Sequence, residues 1–203
     1  MKPYSEACQR NRGPILEVLR QYFTAPGTVL EIGAGTGQHA VHFAAHLPHL
    51  QWLPSDRSVD DGENLRGIRA WAEEARLPNL LDPVALDVRE PRWPVDQVQY
   101  AYSANTAHIM SWPEVELMFT GIGKVLQAQG VFCLYGPVNR EGRYTSESNR
   151  EFDRMLKARD PLMGLRDDQA LIALGERCSL TLAADHAMPA NNRLLVWRRD
   201  AAG

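Results

Sequence analysis

The sequence predicts an α/β fold: a mostly parallel, seven-stranded sheet with helices on both faces, closed by a C-terminal antiparallel hairpin. Three observations predict it. Short apolar runs alternate with longer helical patterns from Thr28 to Gly136, the arrangement that lays parallel strands side by side beneath crossover helices. The first run, Val29-Leu30-Glu31-Ile32, passes into the turn Gly33-Ala34-Gly35-Thr36-Gly37 and then into a helix start. The last two runs are joined only through Met188-Pro189-Ala190-Asn191-Asn192, a connection that favours an antiparallel hairpin.

Each element follows from local signals. Residues 3–12 are polar, and Gly13-Pro14 opens a helical pattern with Ile15, Leu16, Val18, Leu19 and Tyr22 on one face. Thr24-Ala25-Pro26-Gly27 breaks it, and the first strand runs from Thr28 to Ile32. After Gly37 comes a helix with Ala40, Val41, Phe43, Ala44 and Leu47. His39, His42, His46 and His49 share one stripe of that helix. No carboxylate or cysteine joins them, so the stripe reads as a polar face and no metal is expected. Leu50 to Asp56 forms the second strand and ends in an acid. A helix from about Val59 to Ala75 carries Leu65, Ile68, Trp71 and Ala72. Leu81 to Asp87 is the third strand, with a second terminal acid, and Pro91 and Pro94 make the next connection irregular.

Val98 to Ala104 is the fourth strand, followed by the loop Asn105-Thr106-Ala107-His108. Ser111 and Glu114 have the spacing of a capping box for a helix with Val115, Leu117, Met118, Ile122, Val125 and Leu126. Gly130 to Tyr135 is the fifth strand, stopped by Gly136-Pro137. The pattern then changes. Glu141 to Asn149 is polar and loop-like, and Ser148 with Glu151 reads as a capping box for a helix carrying Phe152, Met155 and Leu156. Asp160-Pro161 ends it, and Asp167 caps another helix with Leu171, Ile172 and Leu174. Ser179 to Ala184 and Leu194 to Arg198 form the closing hairpin.

Composition narrows the class. A chain of 203 residues suffices for one domain with a full core. A net charge of −3 gives no overall basic field for nucleic acid. Arg140, Arg143, Arg150, Arg154 and Arg159 cluster locally and read as a solvated, ion-paired face. Cys8, Cys133 and Cys178 are far apart and form no C-x-x-C pair, so neither a zinc knuckle nor a redox dithiol is expected. Scattered thiols suit a reducing cytoplasm, which is the expected location. The first residues lack the apolar core of a signal peptide. No run approaches the roughly 18 apolar residues that span a membrane, so no membrane partner is expected. There is no internal repeat or low-complexity linker.

The candidate site follows from topology. Nucleotide-like ligands of open α/β sheets sit at the carboxyl ends of strands. Here those ends carry Glu31 with the glycines, then Asp56, then Asp87, then Ser103 to Asn105. The glycine spacing is informative. A dinucleotide fingerprint reads G-x-G-x-x-G, whereas this chain has E-x-G-x-G-x-G with Gln38 where the third glycine would fall. That form resembles the cofactor loop of class I S-adenosyl-L-methionine (SAM) methyltransferases, which share a Rossmann-like, seven-stranded fold. On that resemblance, Gly33, Ala34, Gly35 and Gly37 let the methionine part approach the backbone. Asp56 accepts the ribose hydroxyls, Asp87 and the Val88 backbone meet the adenine, and carbonyls around Ser103 take the ammonium. Asn105, together with Arg10 and Asn11 from an N-terminal lid over residues 1–24, completes the cofactor set. The expected product is S-adenosyl-L-homocysteine.

Methyl transfer asks mainly for alignment and exclusion of water, worth roughly 7–11 kcal/mol. A base is needed only where the acceptor must lose a proton. His108 is the candidate base, with Asn105 and Tyr135 beside it; the alternative is a histidine that caps the helix starting near Ser111. The fourth strand does not end in N/D-P-P-Y/F, the pattern of enzymes that methylate amino groups of nucleic-acid bases.

A closer resemblance covers nearly the whole chain. Arg10-Asn11-x-x-Pro14-Ile15-Leu16, Glu31-Ile32-Gly33-x-Gly35-x-Gly37-Gln38-His39, Asn105-x-x-His108-Ile109, Tyr135-Gly136-Pro137, Thr145-Ser146-Glu147-Ser148-Asn149-x-x-Phe152-Asp153, Arg159-Asp160-Pro161-x-x-Gly164-x-Arg166-Asp167 and Met188-Pro189-Ala190-Asn191-Asn192 together resemble the methyltransferase-like protein 26 family. The resemblance implies a class I fold and SAM use, and brings no acceptor with it. Its most specific part lies in the segment 138–170, where this fold inserts substrate-side elements; Arg140, Arg143 or Arg166 there would meet an acidic group, or Ser146, Asn149, Asp160 and Arg166 would cap and brace short helices. The expected function is methyl transfer to a small molecule. The alternatives are a SAM-binding protein without catalysis, an RNA or protein methyltransferase, disfavoured by the negative charge, and an NAD(P)-dependent oxidoreductase, disfavoured by the glycine offset.

Overall fold

The computed structural model describes residues 2–201, so Met1, Ala202 and Gly203 of the expected 1–203 domain lie outside the described residues. In chain order the elements are α1 (Glu6–Tyr22), β1 (Gly27–Ile32), α2 (Gln38–His46), β2 (Leu50–Asp56), α3 (Glu63–Ala75), β3 (Val84–Ala85), β4 (Val98–Ala104), α4 (Trp112–Val125), β5 (Leu126–Gly136), β6 (Val138–Asn139), α5 (Glu147–Arg159), β7 (Arg166–Asp167), α6 (Asp168–Arg177), β8 (Leu180–Met188) and β9 (Asn192–Arg199). Seven strands make one sheet in the order β3-β2-β1-β4-β5-β9-β8. The first five are parallel, and β9 runs antiparallel to both β5 and β8. This is the expected Rossmann-like architecture with its closing hairpin. β6 and β7 pair separately beside it.

Alternation along the strands splits the core in two. Leu30, Ala101, Phe132, Leu134 and Trp197 face α4 and α6. Val29, Tyr102, Cys133, Tyr135 and Val196 face α1 and α2. The parallel strands are apolar on both sides because helices cover both sides.

Four local expectations are corrected. The first helix starts at Glu6, not at Gly13-Pro14. Ser5 caps it by accepting the Cys8 N–H, and Pro14 lies inside the helix. Proline there forgoes one backbone bond, and burial of Ile15, Leu16, Val18 and Leu19 holds the helix through it. The third strand shrinks to Val84–Ala85, since Pro83 has no N–H to give a ladder. β5 begins directly after α4, at Leu126. Finally, α5 is capped by Ser146, whose hydroxyl accepts the Asn149 N–H, and not by Ser148 with Glu151. The expected Ser111–Glu114 box and the Asp167 cap both form.

One buried carboxyl group ties β1 to β2. Glu31 points to the α1/α2 side, 2% exposed, and its Oε2 accepts the Trp52 indole N–H at 2.7 Å. Burial drives its pKa up to about 7; the Trp52 bond opposes that rise and the Asp56 charge adds to it. The folded carboxyl therefore holds its proton more tightly than the unfolded one. Its stabilising contribution is full at acid pH and is lost as pH rises toward the folded pKa. Glu31→Gln keeps an acceptor for Trp52 and removes the ionisation. We expect its stability to vary less than wild type between about pH 5 and about pH 8, with the variant ahead at the upper end by up to about 3 kcal/mol. Scanning calorimetry checks this, and parallel curves for the two proteins would remove Glu31 as the titrating group.

Candidate functional site

A cavity of about 800 Å³ opens at the carboxyl ends of β1, β2 and β4, within the size range of small-molecule sites. Its floor is the glycine turn. Gly33, Gly35 and Gly37 all have positive φ, at 73°, 56° and 86°. Their roles differ. A Cβ on Gly33 would come 2.5 Å from Thr106 Cγ2, and one on Gly37 would come 3.0 Å from the Ile68 backbone. Those two glycines let the turn pack against the loop after β4 and against α3. A Cβ on Gly35 would meet nothing within 4 Å, because it would project into the open cavity.

Asp56, at the end of β2, belongs to the same floor. Its Oδ2 accepts the Gly35 N–H at 2.7 Å and its Oδ1 accepts the Arg57 N–H at 2.8 Å. Burial raises its pKa despite those bonds. A carboxylate has about four lone-pair positions, so both oxygens can take further donors from a ligand.

The N-terminal segment closes one side. The Gln38 amide clasps Ser5, its Oε1 accepting the Ser5 N–H at 2.5 Å and its Nε2 donating to the Ser5 carbonyl at 3.3 Å. Trp71 donates its indole N–H to the Pro3 carbonyl at 2.7 Å, and Lys2 pairs with Glu74 above the Trp71 ring. Ser5, Cys8 and Arg10 thereby reach the cavity. Asn11 does not; its Oδ1 lies 2.7 Å from His39 Nε2, whose other ring nitrogen meets the Tyr102 hydroxyl at 3.3 Å. Burial and the neighbouring His42 charge push His39 down to about 4, so it is neutral near pH 7. The histidine stripe otherwise divides. His46 bonds the His42 carbonyl and His49 bonds the Phe23 carbonyl. Among the described residues, no group of three or more His, Cys, Asp or Glu is placed to hold a metal.

The far wall rises from the end of β4. Asn105 has φ 58° and donates its N–H to the Tyr135 carbonyl at 2.8 Å. His108, 6% exposed, lies beside it on the cavity wall. Its ring sits edge-on to Phe152 of α5, with centroids 5.2 Å apart. Neither ring nitrogen has a hydrogen-bond partner among the described residues. Burial, with a smaller effect of the Arg166 charge, pushes its pKa down to about 4. Arg166 holds this loop from behind, donating to the carbonyls of Ala107, Met110 and Leu162. Gly164 donates its N–H to the His108 carbonyl at 2.9 Å.

The cavity thus brings together Arg10, Gly33, Ala34, Gly35, Asp56, Val88, Asn105 and His108 of the residues expected from sequence. The rest lie off it. Asp87 faces away, bound through both oxygens to Arg89, which lowers its pKa. The Ser103 hydroxyl is buried, donating to the Ile32 carbonyl and meeting Thr106 Oγ1. Tyr135 packs on the α1 side of the sheet, near Asn11. Glu31 and Gly37 form the underside of the turn. Of the two readings open for Arg166, the structure shows the brace, because its guanidinium is spent on backbone carbonyls; Arg140 pairs with Asp168 and Asp185. Cys8, His39 and Phe152 line the cavity unexpectedly. Phe152 carries only an apolar-face signal in the sequence, which does not tell a core residue from a pocket wall.

The fold matches solved structures. An O-methyltransferase family protein from Burkholderia thailandensis superposes with a TM-score of 0.82 at 13% identity, over 98% of this chain and 59% of that one. An O-methyltransferase family 2 protein from Planctomyces limnophilus, in complex with apigenin, gives 0.81 at 12% identity, over 96% and 58%. CalO1, a methyltransferase of calicheamicin biosynthesis in its S-adenosylhomocysteine-bound form, gives 0.73 at 22% identity, over 94% and 54%. The chain therefore spans little more than half the length of these proteins, and what they share with it is the fold. At the level of sequence, the model of the family described as "Protein of unknown function (DUF938)" matches residues 2–199, and the chain belongs to that family.

Proposed function

We propose that this chain is a SAM-dependent methyltransferase acting on a small molecule. The observation that carries the reading is the cavity floor, where open Gly35 and the carboxylate of Asp56 meet at the strand ends. The residues fit the cofactor. Backbone at Gly33 to Gly35 can lie close to it, Asp56 can accept two ribose hydroxyls, and Val88 lines the cavity, so that its backbone can meet the adenine. Asp87 would have to leave Arg89 to join them. When bound, SAM supplies an electrophilic methyl group and leaves as S-adenosylhomocysteine, its sulfur keeping the electron pair of the broken bond. The chain's own part is to align the acceptor, exclude water and take up a proton. His108 is suited to the last task, since it lines the cavity and neither nitrogen of its neutral imidazole is held by a hydrogen bond among the described residues. We further propose kinship with methyltransferase-like protein 26 and a cytoplasmic location, supported respectively by the quoted motifs and by three scattered free thiols. Residues up to 24 then act as the lid and 138–170 as the acceptor side, supported by the reach of Ser5, Cys8, Asn149 and Phe152 into the cavity.

Mass spectrometry of the purified protein is expected to find SAM or S-adenosylhomocysteine, and calorimetry to find binding of either but not of NAD; the reverse preference would reject the reading. Asp56→Ala should weaken S-adenosylhomocysteine binding by about 10- to 150-fold, the loss of charge-assisted hydrogen bonds worth roughly 1.5–3 kcal/mol. Unchanged affinity in titration calorimetry would take Asp56 out of the site. The two glycine classes should separate. Gly35→Ala bears only the left-handed strain of roughly 1–2 kcal/mol yet intrudes on the cavity, so it should fold and bind poorly. Gly33→Ala should lose far more stability, as thermal melts will show. Once an acceptor is in hand, kcat should be flat near neutrality and fall only toward about pH 4, as His108 gains its proton. His108→Gln should remove that acid limb while leaving cofactor affinity within about twofold. A limb that persists in the variant belongs to another group.

A further inference from the structure

We propose that His108, Phe152 and Asn149 form the acceptor subsite, and that it takes a flat, uncharged molecule bearing a hydroxyl and a second hydrogen-bond donor, the second donor held by Asn149 Oδ1. This rests on the methyltransferase reading above and adds the class of its substrate.

The observation behind it is one unused acceptor atom. Asn149 is 5% exposed and lines the cavity. Its amide is pinned, Nδ2 donating to Thr145 Oγ1 at 2.9 Å and to the Asn191 carbonyl at 3.1 Å. Its backbone N–H is held by Ser146. With both amide hydrogens spent on the protein, Oδ1 has no partner among the described residues, and it is not among the fully enclosed polar atoms without one. What exposure Asn149 has opens onto the cavity, so Oδ1 is offered there as an acceptor. An oriented amide oxygen with no protein donor favours a ligand that brings one.

The surroundings set the rest of the ligand. Phe152 stands next to His108, and Met110 and Pro137 extend the apolar wall. Such a wall favours a flat, ring-like body. The nearby arginines that might select an anion are engaged, Arg166 by backbone carbonyls and Arg140 by Asp168 and Asp185. Arg10 and Arg57 also line the cavity, but both are surface residues open to solvent, Arg10 with its side chain 71% exposed and paired with Glu6. Glu114 adds a carboxylate to the lining. An anionic acceptor would therefore lack a buried counter-charge.

The test uses the full chain with S-adenosylhomocysteine bound, and reads binding by calorimetry. The probes are the unsymmetrical naphthalenediols (1,2-, 1,3-, 1,6- and 1,7-), whose two hydroxyls differ, both mono-methyl ethers of the best binder, and a naphthol carboxylate. One diol should bind, each ether should bind about tenfold more weakly, as expected for one lost hydrogen bond, and the carboxylate should bind worst. On Asn149→Ala one ether should match the diol. Equal affinity of diol and ethers for the wild type would overturn the proposal, as would preference for the carboxylate or binding of no isomer. If Asn149→Ala does not fold, the wild-type comparison decides alone. Failure to bind S-adenosylhomocysteine is a separate result, which overturns the cofactor reading beneath the proposal.

Discussion

The structure depends on one steric constraint, the close approach of the turn after β1 to its neighbours. At Gly33 a methyl group would force Thr106 aside, at 2.5 Å, and at Gly37 one would press on the Ile68 backbone at 3.0 Å, tighter than ordinary contact. These contacts set where α3 and the loop after β4 sit relative to β1. They also free Gly35 from any packing duty. The turn's own N–H groups are used to hold its shape, Ala34 to Ser55, Gly35 to Asp56 and Gly37 to Ala34. A ligand at this floor would therefore meet a backbone already fixed in place, with the ordering cost met during folding.

Beneath the floor lies a layer of buried polar groups that are paired without strong charges. Glu31 meets Trp52, His39 meets Asn11 and Tyr102, and Ser103 meets Thr106. Burial pushes the acid up and the imidazole down, so both shift toward neutrality. A fully charged layer at this depth would cost several kcal/mol per ion. A fully apolar one would leave the α1–α2–β1 junction without directional contacts. The network instead ties the N-terminal helix to the turn, which explains why α1 is long and why its first residues reach the cavity.

Much of this was legible in the sequence, for physical reasons that also mark where legibility ends. Strands with two buried faces read as apolar runs, and the caps at Ser111 and Asp167 depend on residues only two or three places away. The start of α1 was hidden because its cap at Ser5 is supported by Gln38, far along the chain, while Gly13-Pro14 looks locally like an entrance. Asp87 resembles Asp56 in its position at a strand end, yet Arg89, two residues on, claims its carboxylate. Arg166 looks like an anion receptor in sequence and is a brace in three dimensions. Side-chain commitments of this kind are decided by neighbours in space, and a single chain read in order does not contain them.

The two halves of the cavity are held by different means. The floor is built from backbone contacts along one stretch, from β1 through the end of β2. The far wall is assembled from three distant segments, the loop after β4, α5, and the β8–β9 turn. What joins those segments is a set of side-chain brackets. Asn149 reaches the Asn191 carbonyl, and Asp153 gathers the Tyr144 hydroxyl, the Lys157 ammonium and the Leu165 N–H, each at 2.6–2.7 Å. Arg166 then carries that bracket to the His108 loop. A substitution in α5 can reshape the wall without disturbing any atom of the glycine turn. The floor and the far wall are thus mechanically separable, and on the proposed function a change in the 138–170 segment alters the acceptor side while leaving the cofactor floor in place.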